Sequence, residues 1–195
     1  MGRIVCVANQ KGGVGKTTTA SNVAAGLAKA GMQTLLVDLD PQCNATTGLG
    51  GVPAMTHPLV SEAALGENVV STAVTNLSLL PGSRSVRDVE RIAEQARAGS
   101  MVLSNHLSCG LNAWDYCLID CPPSLGELTR TALAGSTEVL MPIQCEYFAL
   151  EGLTQMIEVI RDVMADQPGR LSFSGIVLTM HDANLELTTE VEREV

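Results

Sequence analysis

Short apolar runs recur along the chain, with room for one helix between most neighbouring pairs. Ile4-Val5-Cys6-Val7-Ala8, Thr34-Leu35-Leu36-Val37, Leu77–Leu80, Tyr116–Asp120, Val139–Ile143 and Phe173–Leu178 are too brief for buried helices. Each predicts a strand covered on both faces. Between the first two, Ala20, Val23, Ala24, Leu27 and Ala28 recur at helical spacing and predict one buried face. Further helices are expected over Leu125–Leu133, over about Leu150–Met164 and from Glu190 onward. In the second of these Leu153, Met156, Ile157, Ile160, Val163 and Met164 form the expected buried stripe. Residues 43–61 are rich in Gly, Thr, Asn and Pro and read as a loop with at most a short helix; 84–107 is helical in pattern but broken at Gly99. Alternating strands and helices imply an α/β fold: three layers, a doubly wound, mostly parallel sheet with helices on both faces.

Between the first strand and the first helix, residues 9–18 read Asn-Gln-Lys-Gly-Gly-Val-Gly-Lys-Thr-Thr. Strand, glycine loop, helix is the context that a phosphate-binding loop requires. Gly12, Gly13 and Gly15 carry no Cβ, so backbone N–H groups can turn inward and phosphate oxygens can approach closely. The helix start adds its positive end. Lys16 is expected to set its ammonium on the β and γ phosphates, and the Thr17 hydroxyl to ligate Mg²⁺ directly. Lys11, Gly12, Gly13, Val14, Gly15, Lys16, Thr17 and Thr18 thus form the expected nucleotide site, with ATP and Mg²⁺ as cofactors. The pattern G-x-x-x-x-G-K-[ST] is not met, because Gln10 stands where its first glycine would be. The loop matches K-G-G-x-G-K-[ST] instead, which adds a second lysine, Lys11.

Two apolar strands end in carboxylates: Asp38 and Asp40 close one, Asp120 the other. At the carboxyl ends of parallel strands these side chains face the crevice where open α/β sheets bind ligands. Mg²⁺ keeps several of its waters, so Asp38 and Asp120 are expected to hold the metal through water. Asp40, two residues past Asp38 and on the same side, is the candidate to orient or deprotonate the attacking water. A turn-capping role before Pro41 is compatible with that role.

Composition narrows the choice. A chain of 195 residues with 46% hydrophobic content suits a single domain over 1–195. No apolar stretch precedes the first strand and no run nears the ~18 residues of a spanning helix, so a cytoplasmic protein without a membrane partner is expected. Six cysteines include no C-x-x-C pair, which disfavours disulfides and zinc ribbons. Cys117 and Cys121 raise an iron–sulfur role, but they share one strand and its exit, a poor chelate, and packing is expected for them. His57, His106 and His181 lack ligand spacing and are expected in core or surface packing. Arg84, Arg87 and Arg91 alternate with Asp88, Glu90 and Glu94, and the net charge is −9. A salt-bridged solvent face is expected there in preference to a nucleic-acid surface.

The loop, together with Asp38-Leu-Asp-Pro-Gln-Cys-Asn-Ala-Thr, Ile119-Asp-Cys-Pro-Pro-Ser, Gln144-Cys-Glu-Tyr-Phe-Ala-Leu-Glu-Gly and Leu178-Thr-Met-His-Asp, resembles the ParA/MinD family of P-loop ATPases, in its partition (ParA/Soj) branch. The membrane-associated MinD-like branch lacks the first and third of these stretches. The resemblance implies a Mg-dependent ATPase with Lys11, Lys16 and Asp40 as catalytic residues. It implies an ATP-bound homodimer in which Lys11 reaches the partner's phosphates, and places Glu146, Tyr147 and Phe148 near the dimer face. Implied too are chromosome or plasmid partitioning or cargo positioning, a centromere-binding (ParB-like) partner or cargo adaptor, and nucleoid association. Members of this branch usually continue for some tens of residues past the last helix, with an adenine-contacting segment and a basic DNA-binding helix. The domain is therefore expected to lack its C-terminal portion and the usual site for non-specific DNA. Two other classes stay open: a metabolic or metal-trafficking enzyme on the same scaffold, and a low-turnover nucleotide-binding regulatory module.

Overall fold

In the computed structural model, which describes residues 2–61, 63–88, 113–146 and 149–194, seven strands among the described residues pair into one sheet. They are β1 Arg3–Val7, β2 Thr34–Asp38, β3 Val70–Ser71, β4 Leu77–Leu80, β5 Tyr116–Asp120, β6 Glu138–Gln144 and β7 Ser172–Thr179. Their spatial order is β3-β4-β2-β5-β1-β6-β7, and all pairs are parallel except β3 with β4. The helices are α1 Lys16–Lys29, α2 Asn44–Gly48, α3 Pro58–Ser61, α4 Leu65–Asn68, α5 Glu127–Gly135, α6 Ala149–Asp166 and α7 Glu186–Glu194.

Successive strand residues point to opposite faces, and here both faces are apolar. Ile4, Cys6, Leu35, Val37, Cys117 and Ile119 face one core, which α5 and α6 cover with Leu128, Leu133, Met156 and Ile160. Val5, Val7, Leu36, Leu79 and Leu118 face the other, covered by Ala20, Ala24 and Ala28 of α1 and Ala45 of α2. The expected three-layer architecture is thereby present. From β1 the chain moves to β2 on one side, and from β5 it moves to β6 on the other, so a crevice opens at the carboxyl ends of β1 and β5.

Several local expectations need correction. Val23 is exposed, because α1 meets the sheet through a narrow alanine stripe that brings its backbone close. Ile157 and Met164 lie outside the buried stripe of α6, whereas Val159 lies within it. The 43–61 stretch holds two short helices, α2 and α3, and the last helix begins at Glu186. The strand β3 went unanticipated: its two residues are exposed and carry no periodic signal. Most of 84–107, with Arg91 and His106, lies outside the described residues, as does Cys109.

His57 is buried in the turn entering α3; its Nδ1 accepts the Leu59 N–H at 3.2 Å and its Nε2 has no hydrogen-bond partner. Burial pulls its pKa from 6.5 down to about 4. The unfolded chain thus takes up a proton that the folded chain refuses. Stability from this group is full above pH 6.5 and falls as the pH approaches about 4, by up to about 3 kcal/mol. Asp120, raised to about 7 by burial, tilts stability the other way across that whole window. The expected result is therefore differential: His57→Gln loses the acid-dependent component of the parent in denaturant unfolding between about pH 4.5 and pH 7. Parallel pH profiles for the two proteins would contradict it.

Candidate functional site

The loop joining β1 to α1 is fastened from both sides before it reaches the crevice. Asn9 donates from Nδ2 to the Pro142 carbonyl of β6 at 2.7 Å, and its Oδ1 accepts the Lys11 N–H at 2.9 Å. Thr179, at the end of β7, donates from Oγ1 to the Val14 carbonyl at 2.8 Å. Val14 itself is buried, so it anchors the loop and leaves only backbone toward the crevice. Gly13 and Gly15 take φ values of 80° and 87°, the left-handed region where a side chain would be strained. Gly15 caps α1 with no side-chain bond, and no acidic residue stands in the first turn. The N–H groups of that turn remain available to an anion.

Lys16 begins α1, is buried, and folds its ammonium back to donate to the Lys11 carbonyl at 2.6 Å. Burial lowers its pKa, while Asp120, Cys121 and Asp40 oppose that shift. A polar cleft of about 340 Å³ lies along the loop, lined by Gly12, Gly13, Gly15, Lys16, Thr17 and Thr18, with Asp40 on its far side.

Strand register brings the carboxylates together: Asp38 pairs with Asp120 across β2 and β5, and Val7 of β1 pairs with Asp120 on the other side. Despite this adjacency their surroundings differ. Both oxygens of Asp120 are buried with no fully formed hydrogen bond from the described residues; burial raises its pKa to about 7, against the pull of the adjoining Thr17 hydroxyl and of Lys16. An unpartnered buried carboxylate beside a lysine and a threonine hydroxyl suits a hard cation and its water ligands. Asp38, by contrast, receives three donors from the protein: the Asp40 N–H at 3.1 Å, the Thr46 N–H at 2.8 Å and the Thr46 hydroxyl at 2.6 Å. Burial raises its pKa and those donors restrain the rise. Asp40 is buried at the cleft; its Oδ1 accepts the Gln42 N–H at 2.8 Å, the turn-capping bond, and its Oδ2 accepts none from the described residues.

Lys11 points away from Lys16 and forms an ion pair with Glu146, which follows β6; both side chains are partly exposed. Tyr147 and Phe148 lie outside the described residues. Cys117 and Cys121 are buried in the core, and no cluster of three metal-ligating side chains occurs among the described residues. Arg84 and Arg87 are exposed, and their companion Arg91 falls outside the described residues. Gln42, Asn44, Pro123 and Met180 also line the cleft. All four fall within stretches that carry the family resemblance, but none is singled out by the sequence as a cleft residue; Met180 is exposed and takes a φ of 52°.

A parallel sheet feeding a two-lysine glycine loop into an uncapped helix, with a free carboxylate on the adjacent strand, defines a P-loop nucleoside-triphosphatase domain. The family described as an AAA domain matches residues 2–173. The chain is 44% identical over 199 residues to the chromosome-partitioning ATPase Soj of Treponema pallidum (strain Nichols), covering 100% of this chain and 78% of that protein. It is 42% identical over 200 residues to the sporulation initiation inhibitor protein Soj of Bacillus subtilis (strain 168), covering 100% and 79%. Among solved structures, cobyrinic acid a,c-diamide synthase from Mycobacterium smegmatis with bound ATP analog and magnesium superposes with a TM-score of 0.93 at 34% identity, over 100% of this chain and 82% of that one. The chain belongs to the ParA/Soj family of P-loop ATPases. No helix among the described residues is long and apolar enough to cross a membrane.

Proposed function

We infer that the protein is a magnesium-dependent ATPase that works as a dimerising switch in DNA partitioning or cargo positioning. The observation that carries the chemistry is the pairing of the glycine loop and its buried Lys16 with the unpartnered Asp120 carboxylate. The partitioning role rests on similarity to the chromosome-partitioning ATPase Soj.

In this mechanism the N–H groups of Gly13 to Thr18 and the Lys16 ammonium hold the triphosphate. Mg²⁺, when bound, would neutralise charge that develops during transfer. Thr17 would ligate it, and the free oxygens of Asp120 would hold its waters. Asp40 lines the cleft, and its oxygen not taken by the Gln42 N–H orients the attacking water and accepts its proton. Lys11, beside Glu146, crosses to the phosphates of a second subunit. Its ion pair with Glu146 is partly exposed, and such pairs are worth at most about 1 kcal/mol. That is too little to hold Lys11 against a triphosphate. Hydrolysis then removes the shared charge and the pair separates.

Lys11→Ala is expected to retain ATP binding yet lose ATP-dependent dimerisation in sedimentation velocity. A variant that dimerises like the parent would show that the lysine acts only within its own subunit. Phosphate release with and without DNA and a centromere-binding partner tests the partitioning role, since stimulation by the partner is expected.

The likeness to the diamide synthase favours a second reading, ATP-dependent amide formation. Turnover that requires a carboxylic acid and an ammonia donor would establish it. Turnover stimulated by DNA and partner alone would exclude it.

A further inference from the structure

We propose that Asp38 is a positioning residue which, through Thr46 and Gly82, holds the Asp40 turn in the geometry needed for hydrolysis. The proposal rests on the catalytic role of Asp40 given above. It is carried by a closed set of bonds among three elements that adjoin in space but not in sequence. From the end of β2, Asp38 Oδ1 accepts the Asp40 N–H at 3.1 Å, which fixes where the turn leaves the strand. Its Oδ2 accepts both the N–H and the hydroxyl of Thr46 in α2, at 2.8 and 2.6 Å. The Thr46 hydroxyl in turn accepts the N–H of Gly82, just past β4, at 2.8 Å.

Gly82 is part of the design. A Cβ built there would fall 2.8 Å from the Asp38 carboxyl carbon, inside any real contact, so glycine is what leaves room for the carboxylate. Asp38 and Thr46 are fully buried. Two of the three groups facing the carboxylate, the Asp40 and Thr46 N–H groups, can only donate, which suits an acceptor oxygen on each side. A water ligand of a cation would also be a donor, but three of the four acceptor positions on Asp38 already go to the protein, one on Oδ1 and both on Oδ2. The two adjacent aspartates therefore divide the work: Asp120 keeps its oxygens for the site, and Asp38 uses its own to aim Asp40. From that turn Asp40 then bonds onward to the Gln42 N–H.

The test compares Thr46→Val, which removes the hydroxyl at nearly constant shape, with Thr46→Ser, which keeps it. Asp38→Asn places an amide against donors, and Asp40→Ala serves as reference. Calorimetry gives the MgATP Kd, phosphate release gives kcat, and a magnesium titration gives the half-saturating concentration; melting curves monitor folding. Thr46→Val and Asp38→Asn are expected to lower kcat at least about tenfold, the scale of a small misplacement of a catalytic group. The Kd should change less than about threefold, a fraction of 1.4 kcal/mol, with the magnesium midpoint unmoved. Thr46→Ser should return kcat to within about a factor of two of the parent, because it restores the bonded hydroxyl.

A folded Thr46→Val with parental kcat overturns the proposal. So does a shifted magnesium midpoint, which would put Asp38 among the metal's partners, or a Thr46→Ser that falls as far as Thr46→Val, which would mean packing alone. If Asp40→Ala turns over normally, the catalytic assignment itself fails and the brace falls with it. If Asp40→Ala is inactive while Thr46→Val is fully active, only the brace fails.

Discussion

Lys16→Ala is expected to weaken MgATP uptake by at least about a hundredfold. The ammonium is buried at the start of α1, held across the loop by the Lys11 carbonyl at 2.6 Å, and placed on the floor of the cleft. A hydrogen bond to a charged group is worth about 1.5–3 kcal/mol, and a phosphate-binding lysine supplies more than one, so a loss of at least about 3 kcal/mol, roughly a hundredfold in affinity, follows. Equilibrium dialysis against labelled ATP measures it. Because Lys16 stands beside Asp120 and Asp40, its removal also leaves two carboxylates facing an incoming triphosphate without a compensating cation. A variant that keeps affinity within a factor of about three would show that the loop amides alone hold the nucleotide.

Asp40 carries the second large effect, and its surroundings allow two roles to be separated. Its Oδ1 accepts the Gln42 N–H, so it caps a turn, while Oδ2 remains for the cleft. Asp40→Asn keeps an acceptor for the cap but loses a usable base; Asp40→Ala loses both. General-base catalysis contributes about 10²–10⁴-fold, so both variants should lose phosphate release on that scale while binding ATP and persisting as long-lived ATP dimers. Sedimentation velocity shows the dimer, and a single-turnover assay shows the rate. Should Asp40→Asn hydrolyse ATP like the parent while Asp40→Ala does not, the residue is a turn cap and another group handles the proton.

The apolar runs located the main strands, because a strand buried on both faces must be apolar throughout and a parallel sheet has no solvent face to blur the signal. Where burial is one-sided, periodicity overstated the core. Val23, Ile157 and Met164 match the helical spacing yet are exposed, since the width of a buried stripe depends on how closely a helix meets its neighbour. Short elements were hidden for a related reason. Thr46 in α2 is held by the carboxylate of Asp38 eight positions earlier, not by a local pattern. Glycines, lysines and three convergent aspartates were legible because their chemistry depends on position at the ends of strands and the start of a helix. The different duties of Asp38 and Asp120 were not: they turn on Thr46 and Gly82, brought in by tertiary approach.

The whole account depends on a triphosphate held by the loop with magnesium. Calorimetric titration of the folded chain with ATP, with and without Mg²⁺, tests this most directly. Saturable uptake of one nucleotide per chain that requires the metal is the predicted result. Heats no different from dilution in both buffers, with protein that melts cooperatively, would contradict it.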